Sequence, residues 1–162
     1  MTRVAVTGHT DLPPDTTGLV ADGLRAVLAD AVPLVGLTCL APGADQLFAE
    51  VVLDLGGRVE IVLPAADYRE AKVAPGAWPR FDDLVRRADR VRTLPFPRSG
   101  RAAYQAAALA VLDAADLLVA VWDGVADSRP GGTAATVAAA RDRGLPVSVV
   151  WPAGAQRGGR RG

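Results

Sequence analysis

Residues 117–124 read Leu-Leu-Val-Ala-Val-Trp-Asp-Gly, a run of six apolar side chains closed by an aspartate and a glycine. A strand that is apolar on both faces is typical of the centre of a parallel sheet, where helices cover both sides. Helical patterns flank this run, at residues 102–115 before it and at residues 133–143 after it. A further apolar run at 147–151 predicts the last strand.

The N-terminal half shows the same alternation of strands and helices. Short runs rich in β-branched residues at 3–7, 34–40 and 59–63 predict three strands. Between them, apolar residues recur at helical spacing, from Val20 to Ala31 and from Leu47 to Leu55. A β-α-β-α-β order favours right-handed crossovers and therefore a parallel sheet.

The segment between the two halves is less regular. Residues 65–80 contain two prolines and a glycine and predict a mobile loop over one end of the sheet, followed by a short helix at 81–88 and a weak edge strand at 90–94. The whole pattern predicts an α/β fold of the Rossmann-like kind, with three α/β/α layers and a mainly parallel sheet of about six strands. We expect one nucleotide-binding domain at 1–152 and a disordered tail, rich in glycine and arginine, at 153–162.

The composition is that of one folded domain. Half of the 162 residues are apolar, and 18 basic residues balance 18 acidic ones. This balance offers no electrostatic argument for nucleic acid, so we expect no nucleic acid partner. No apolar run approaches the ~20 residues of a membrane helix, and the first residues lack a signal segment, so we expect no membrane contact and a cytoplasmic location. The single histidine, His9, and the single cysteine, Cys39, are far apart, which predicts no metal site.

Ligands of open parallel sheets bind beyond the carboxyl ends of the strands, where the strand order reverses. Two loops of the N-terminal half should meet there, and their candidate residues are Gly8, His9, Thr10, Gly43, Ala44 and Asp45. A glycine after a strand lets backbone N–H groups approach a ligand, and a helix start offers free N–H donors to an anion. His9 either bonds a ligand, holds the turn or acts as an acid–base group. Asp45 either contacts a ligand hydroxyl or serves the helix dipole.

Two loops of the C-terminal half complete the predicted site, with Trp122, Asp123, Gly124, Gly131, Gly132 and Thr133. Asp123 follows the central strand, where a carboxylate can accept a hydrogen bond from a ribose hydroxyl. Trp122 either stacks on a base or belongs to the core. The Gly-Gly-Thr helix start can cradle a phosphate through its N–H groups and the Thr133 hydroxyl.

Together these residues resemble the SLOG superfamily. The segments that carry the resemblance are Thr-Gly-His at 7–9, Pro-Gly-Ala-Asp-Gln-Leu-Phe-Ala-Glu at 42–50, Val-Leu-Pro at 62–64, Tyr-Arg at 68–69, the run 115–124 and Gly-Gly-Thr-Ala at 131–134. This superfamily includes the Lonely Guy phosphoribohydrolases, the molybdenum-cofactor carrier-like proteins and the DNA-processing protein A domain. The resemblance spans about residues 3 to 151. It implies a nucleotide or nucleotide-derived ligand at the loops above, no separate cofactor, and a possible homodimer through the alanine-rich helix 102–115.

The sequence departs from the phosphoribohydrolases at the residues that carry their chemistry. Those enzymes have an arginine in the helix before the central strand and a glutamate after the Gly-Thr helix start. Here the corresponding positions hold alanines, at 106–108 and directly after Thr133, and Arg101 lies about two turns too early. The resemblance therefore leaves catalysis undecided and names no catalytic residue.

Three functions follow as hypotheses. The leading one is a sensing or binding domain for a nucleotide-type small molecule. The alternative is a nucleoside monophosphate phosphoribohydrolase or related N-glycoside hydrolase that uses Asp45 or Asp123. The third is a protein-interaction module that has lost its ligand, which predicts a carboxyl edge closed by side chains such as Trp122 and Tyr68.

Overall fold

A computed structural model describes residues 1–126 and 132–158 of the chain. Six parallel strands form one sheet in the order β4-β3-β2-β1-β5-β6. The strands are β1 (Thr2–Gly8), β2 (Leu34–Thr38), β3 (Arg58–Leu63), β4 (Arg90–Thr93), β5 (Leu117–Val121) and β6 (Val147–Val149). The helices are α1 (Pro14–Ala29), α2 (Ala44–Asp54), α3 (Tyr68–Lys72), α4 (Trp78–Arg87), α5 (Arg101–Asp113) and α6 (Thr133–Asp142). The predicted Rossmann-like fold with about six parallel strands is confirmed.

The strand order reverses between β1 and β5. The chain runs from β1 to β4 in one direction across the sheet, and α5 then returns it to the other side of β1. There β5 pairs with β1 in the register Val4↔Leu117 to Gly8↔Val121. Such a reversal opens a crevice at the carboxyl ends of the strands, because the loops after β1 and β5 turn to opposite faces.

Strand residues alternate between two apolar layers. Val4 and Val6 point into a core shared with α1, α2 and α4, whose contributions include Leu24, Phe48 and Leu84. Ala5, between the two valines, faces the opposite layer. That layer is filled by Val111 and Leu112 of α5 and by Val137 and Ala140 of α6. The two-residue period of the strands thus gives one helix layer on each face.

The segment at 65–80 is more ordered than the sequence predicts. It holds α3, a turn of 3₁₀ helix at Pro75–Ala77 and the start of α4 at Trp78. The indole Nε1 of Trp78 donates to the carbonyls of Arg69 and Val73, at 3.3 and 3.0 Å. The prolines occupy the first turns of their helices, where no backbone N–H is needed, so they begin helices instead of breaking them.

The described part of the tail differs from the predicted disorder. The N–H of Gln156 donates to Thr16 Oγ1 at 2.8 Å, and the N–H of Gly158 donates to the carbonyl of Asp11. Residues 153–158 therefore lie across the start of α1, and residues 159–162 are outside the described range. Within the described ranges, no helix is long and apolar enough to cross a membrane. No cluster of histidine, cysteine, aspartate and glutamate in them could hold a metal ion.

Candidate ligand-binding site

A cavity of about 1010 Å³ opens at the carboxyl edge of the sheet. Its wall is built from the loop after β1, the segment from the end of β2 into α2, α3, one face of α5, the first turn of α6 and the tail at residues 157–158. These loops and helices follow five successive strands, whose carboxyl ends share one edge because the sheet is parallel. The cavity therefore occupies the crevice where a fold of this kind binds ligands.

The predicted site residues divide into three groups. Those that line the cavity are Gly8, His9, Thr10, Asp45, Gly132 and Thr133. Those in the described ranges that do not line it are Gly43, Ala44, Trp122, Asp123 and Gly124. Gly131 lies outside the described residues.

Two glycines let the loops after β1 and β2 touch. A Cβ on Gly8 would lie 2.5 Å from the Cβ of Ala44 and 2.8 Å from that of Val121. Gly43 has a φ of 81°, and a Cβ there would lie 2.7 Å from the carbonyl oxygens of His9 and Thr10. The N–H of Ala44 also donates to the carbonyl of His9 at 3.1 Å. Gly43 and Ala44 thus hold the two loops together behind the cavity wall.

His9 connects the loop after β1 to the loop after β5. Its Nε2 accepts a hydrogen bond from the backbone N–H of Asp123 at 3.1 Å, and its ring meets Trp151 edge-on at 5.4 Å. Burial lowers the pKa of His9, and the nearby Arg157 guanidinium lowers it further, against the opposing effect of the Asp123 carboxylate. His9 is 7% exposed and has the environment of a buried, neutral imidazole.

The Asp123 carboxylate faces His9 and the turn instead of the cavity. Its Oδ1 accepts the N–H of Val125 at 2.9 Å and lies 3.4 Å from His9 Nε2. Burial raises the pKa of Asp123, but the Val125 N–H, His9 and Arg157 outweigh burial and hold this pKa below its usual value. Asp123 is therefore a poor acid for a ligand in the cavity. Trp122 is also turned away, since its Nε1 donates to the Val125 carbonyl.

Asp45 is a buried carboxyl group in the cavity wall. It is 6% exposed, and its Oδ2 accepts hydrogen bonds from Thr38 Oγ1 at 3.2 Å and from the N–H of Ala41 at 3.3 Å. Burial raises the pKa of Asp45 to about 7, although these donors and the N–H of Cys39 act in the opposite direction. Asp45 can therefore exchange a proton near neutral pH.

Cationic side chains and hydroxyls surround the open part of the cavity. The cationic ones are Lys72 of α3, Arg101 at the start of α5 and Arg157 of the tail. Arg157 lies 3.8 Å from Asp11 and 3.6 Å from Asp123, and its buried Nε has no hydrogen-bond partner among the described residues. Thr133 contributes a hydroxyl at the start of α6, where helix N–H groups also point outward. These groups suit an anionic ligand.

Several residues of the cavity wall were not predicted from the sequence to bind a ligand. Tyr68 and Tyr104 meet edge-on at 6.1 Å, and the ammonium of Lys72 lies 5.5 Å from the centre of the Tyr104 ring. The Tyr-Arg pair at 68–69 was a sequence signal for this part of the wall. However, residues 65–80 were predicted to form a loop, in which the directions of the side chains are undefined. Among the described residues, the cavity remains open beside Tyr68. The interaction-module hypothesis predicts the opposite, a carboxyl edge of the sheet that is closed by such side chains.

Comparison with known proteins supports the fold through structure alone. No protein-family model matches the chain, and no curated protein matches it. DNA processing protein A from Streptococcus pneumoniae matches with a TM-score of 0.67 and 17% identity, over 92% of this chain and 50% of that chain. DNA processing protein A from Helicobacter pylori matches with a TM-score of 0.67 and 15% identity, over 97% of this chain and 69% of that chain.

A second group of neighbours consists of molybdenum cofactor proteins. The molybdenum cofactor binding protein of Rippkaea orientalis matches with a TM-score of 0.59 and 18% identity, over 91% of this chain and 75% of that chain. At these identities the likeness shows the fold alone, a Rossmann-like α/β fold. The chain spans half the length of the Streptococcus protein.

The expectation that excludes nucleic acid as a partner is wrong. The Helicobacter protein with this fold is described by its single-stranded DNA binding mode, so the fold is compatible with a nucleic acid ligand. The argument from net charge failed because a sum over the whole chain ignores where the charges lie. Here three cationic side chains gather at one cavity of a chain whose charges cancel.

Proposed function

We propose that this chain is a ligand-binding domain of the SLOG type whose cavity takes a nucleotide or a nucleotide-derived ligand. The observation that carries the proposal is the cavity of about 1010 Å³ at the switch point, which is lined by cationic, aromatic and buried polar groups. A nucleotide combines an anionic end with a flat, polar ring system. Its size suits a pocket of several hundred Å³.

The anionic end has two sets of partners. The start of α6 offers N–H groups and the Thr133 hydroxyl, and the side chains of Lys72 and Arg101 face the same space. Within residues 1–126 and 132–158, neither of these two cations forms an ion pair with a carboxylate. An anion from solution would therefore gain charge-assisted hydrogen bonds without displacing a carboxylate of the described residues.

The first test is a thermal-shift screen of the purified protein. The panel contains nucleoside mono-, di- and triphosphates, NAD, ADP-ribose and cyclic nucleotides. It also includes the molybdenum cofactor and a short single-stranded oligonucleotide, because structural neighbours are described as binding these. A ligand at ~100 times its Kd adds about 2.7 kcal/mol of stability, which is easily detected. A panel without any shift would contradict the proposal.

Lys72 gives an independent measure of occupancy, because it is the only lysine in the chain. Acylation with an amine-selective reagent, followed by peptide mapping, should modify Lys72 in the free protein. A ligand that fills the cavity should slow this reaction, whereas acylation of the N-terminal amine should not change. Arg101→Gln should weaken ligand binding about tenfold or more. The matched control is Arg58→Gln. Arg58 is the first residue of β3, at the end of the strand away from the cavity, so this change should leave binding unchanged.

The N-glycoside hydrolase remains a second candidate because of Asp45. A carboxyl group with a pKa of about 7 that lines the ligand cavity can serve as a general acid. Asp123, the other carboxyl proposed from the sequence, does not line the cavity. The hydrolase hypothesis therefore predicts release of free base from nucleoside monophosphates, abolished in Asp45→Asn and retained in Asp123→Asn. Binding without base release would leave the binding domain as the function.

A further inference from the structure

Tyr68 is a buried tyrosine in the wall of the cavity. The residue is 2% exposed, and its ring packs against Phe81 at 6.4 Å and Tyr104 at 6.1 Å. Among the described residues, its hydroxyl has no hydrogen-bond partner, and burial is the largest cause that raises its pKa. The hydroxyl is not sealed inside the protein, since Arg157 Nε is the only fully buried side-chain polar atom without a partner among the described residues. Because Tyr68 lines the cavity, a molecule in the cavity can supply the missing partner.

Asp45 offers an acceptor in the same wall. Its Oδ2 accepts hydrogen bonds from the Thr38 hydroxyl and from the N–H of Ala41. An ionised carboxylate has about four acceptor positions, so these two donors leave acceptor positions open. Asp45 and Tyr68 both line the cavity, so a ligand that fills it can contact both groups.

Charged and titratable groups from several elements surround Asp45. Cys39 at the end of β2 and Tyr68 of α3 interact with it electrostatically. The cations that share the cavity are Lys72, Arg101 and Arg157, and His9 lies in the loop after β1. Burial raises the pKa of Asp45, and hydrogen-bond donors act in the opposite direction. No cation is among the causes of the shift. An ionised Asp45 is therefore stabilised by hydrogen bonds alone, and a further donor from the ligand would add to them.

We infer that Asp45 and Tyr68 form a subsite for an uncharged group of the ligand that donates a hydrogen bond to the carboxylate and accepts one from the phenol. Hydroxyl and amino-bearing ring edges both have this chemistry, and a nucleotide offers both, as sugar hydroxyls and as a base amino group beside a ring nitrogen. The inference rests on the proposed function, since it assigns one part of the same cavity. A donor bound to Asp45 favours its ionised form, so ligand binding near neutral pH should release a proton.

Three probes separate the two sources of the donor. They are adenosine 5′-monophosphate, its 2′,3′-dideoxy analogue and purine riboside 5′-monophosphate, which lacks the amino group. Isothermal titration calorimetry at pH 6.5 in two buffers of different ionisation enthalpy measures affinity and proton release together. If a sugar hydroxyl is the donor, the dideoxy analogue binds about tenfold more weakly, and if the base is the donor, purine riboside monophosphate does.

Two conservative variants test whether this preference comes from the subsite. Tyr68→Phe keeps the ring contacts, and Asp45→Asn keeps the size of the side chain. In both, the preferred probe should lose about tenfold in affinity while the deficient analogue binds as before, and Asp45→Asn should also reduce proton release to the part that the ligand's phosphate contributes. Asp54→Asn, which removes an exposed carboxylate from the same helix, should preserve affinity and proton release.

The outcomes distinguish this inference from the proposed function. Equal affinities for all three probes, or a preference that survives in both variants, would overturn the subsite while leaving nucleotide binding intact. Absence of binding by any probe to the wild-type protein, together with a blank thermal-shift panel, would overturn the proposed function and the subsite with it.

Discussion

The imidazole of His9 and the backbone of Asp123, 114 residues apart in sequence, meet through a hydrogen bond of 3.1 Å in which Nε2 is the acceptor. An imidazole that accepts at Nε2 is neutral and carries its proton on Nδ1. This bond ties the loop after β1 to the loop after β5, on the two sides of the switch point. His9 therefore supports the shape of the cavity wall through its ring, in addition to lining it.

The titration of His9 tests this arrangement directly. Arg157 lowers the pKa of His9, whereas Asp123 raises it. Arg157→Gln should therefore raise the pKa of His9, and Asp123→Asn should lower it further. Because the chain has one histidine, an NMR titration follows a single imidazole. Arg25→Gln, on the exposed side of α1, should leave the titration unchanged. An unshifted pKa in Arg157→Gln would contradict the described position of the tail.

Close contact at Gly8 predicts a large response to one added methyl group. In Gly8→Ala, the new Cβ would have to displace α2 or β5, because Ala44 and Val121 lie within 3 Å of it. We expect a loss of about 3 kcal/mol in the free energy of unfolding, measured by urea denaturation. Gly18→Ala is the matched control, since nothing lies within 4 Å of a Cβ there and the residue is in α1. It should gain about 0.5–1 kcal/mol.

The fold could be predicted from the sequence because its signals are local and repeated. The apolar run at 117–121 and the helical spacing of Val20, Leu24 and Leu28 each define an element without knowledge of the others. Parallel order then follows from the alternation of strands and helices. The glycines after β1 and β2 also followed from local rules, since their positions after strands imply close approach of the backbone.

The composition of the cavity wall depended on information that is not local. Arg157 reaches the cavity because the tail bonds to Thr16 and Asp11, which no periodicity indicates. Tyr68 and Lys72 face the cavity only because residues 65–80 fold into short helices. Asp123 stands where a ligand-binding carboxylate was expected, but His9 and Arg157 engage it first. The positions of these side chains relative to the cavity depend on contacts with residues that are distant in sequence.

The raised pKa of Asp45 predicts a characteristic dependence of stability on pH. Asp45 has a pKa of about 7 in the folded chain, against 3.8 for an ordinary aspartate. Between these values the folded state binds the extra proton, so this contribution is complete below pH 3.8 and is lost as pH rises through about 7. The upper limit of the loss is roughly 4 kcal/mol.

Denaturation of the wild type and Asp45→Asn at pH 5 and pH 8 measures this effect. The variant should be stabilised relative to the wild type at pH 8 by about 1–3 kcal/mol, with a smaller difference at pH 5. His9 changes stability in the opposite sense, since its lowered pKa removes stability as pH falls below 6.5. The difference between wild type and variant cancels that contribution. A difference that is the same at both pH values would show that Asp45 stays ionised in the folded protein.

The order of the segment between β3 and β4 depends on Trp78. Its single indole N–H is shared by the carbonyls of Arg69, in the first turn of α3, and Val73, directly after α3, and its ring centre lies 4.3 Å from the Arg69 guanidinium. Trp78→Phe keeps an aromatic face but removes the donor, at a cost of about 1–2 kcal/mol. Hydrogen exchange should accelerate at residues 68–78 and stay unchanged in β1 and β5.

Trp122→Phe is the control for this prediction. It also removes one indole hydrogen bond, but in the loop after β5, and should leave residues 68–78 protected. Because Tyr68 and Lys72 belong to this segment, Trp78→Phe should also weaken nucleotide binding. Unchanged exchange at 68–78 would show that the segment is held by its apolar contacts alone.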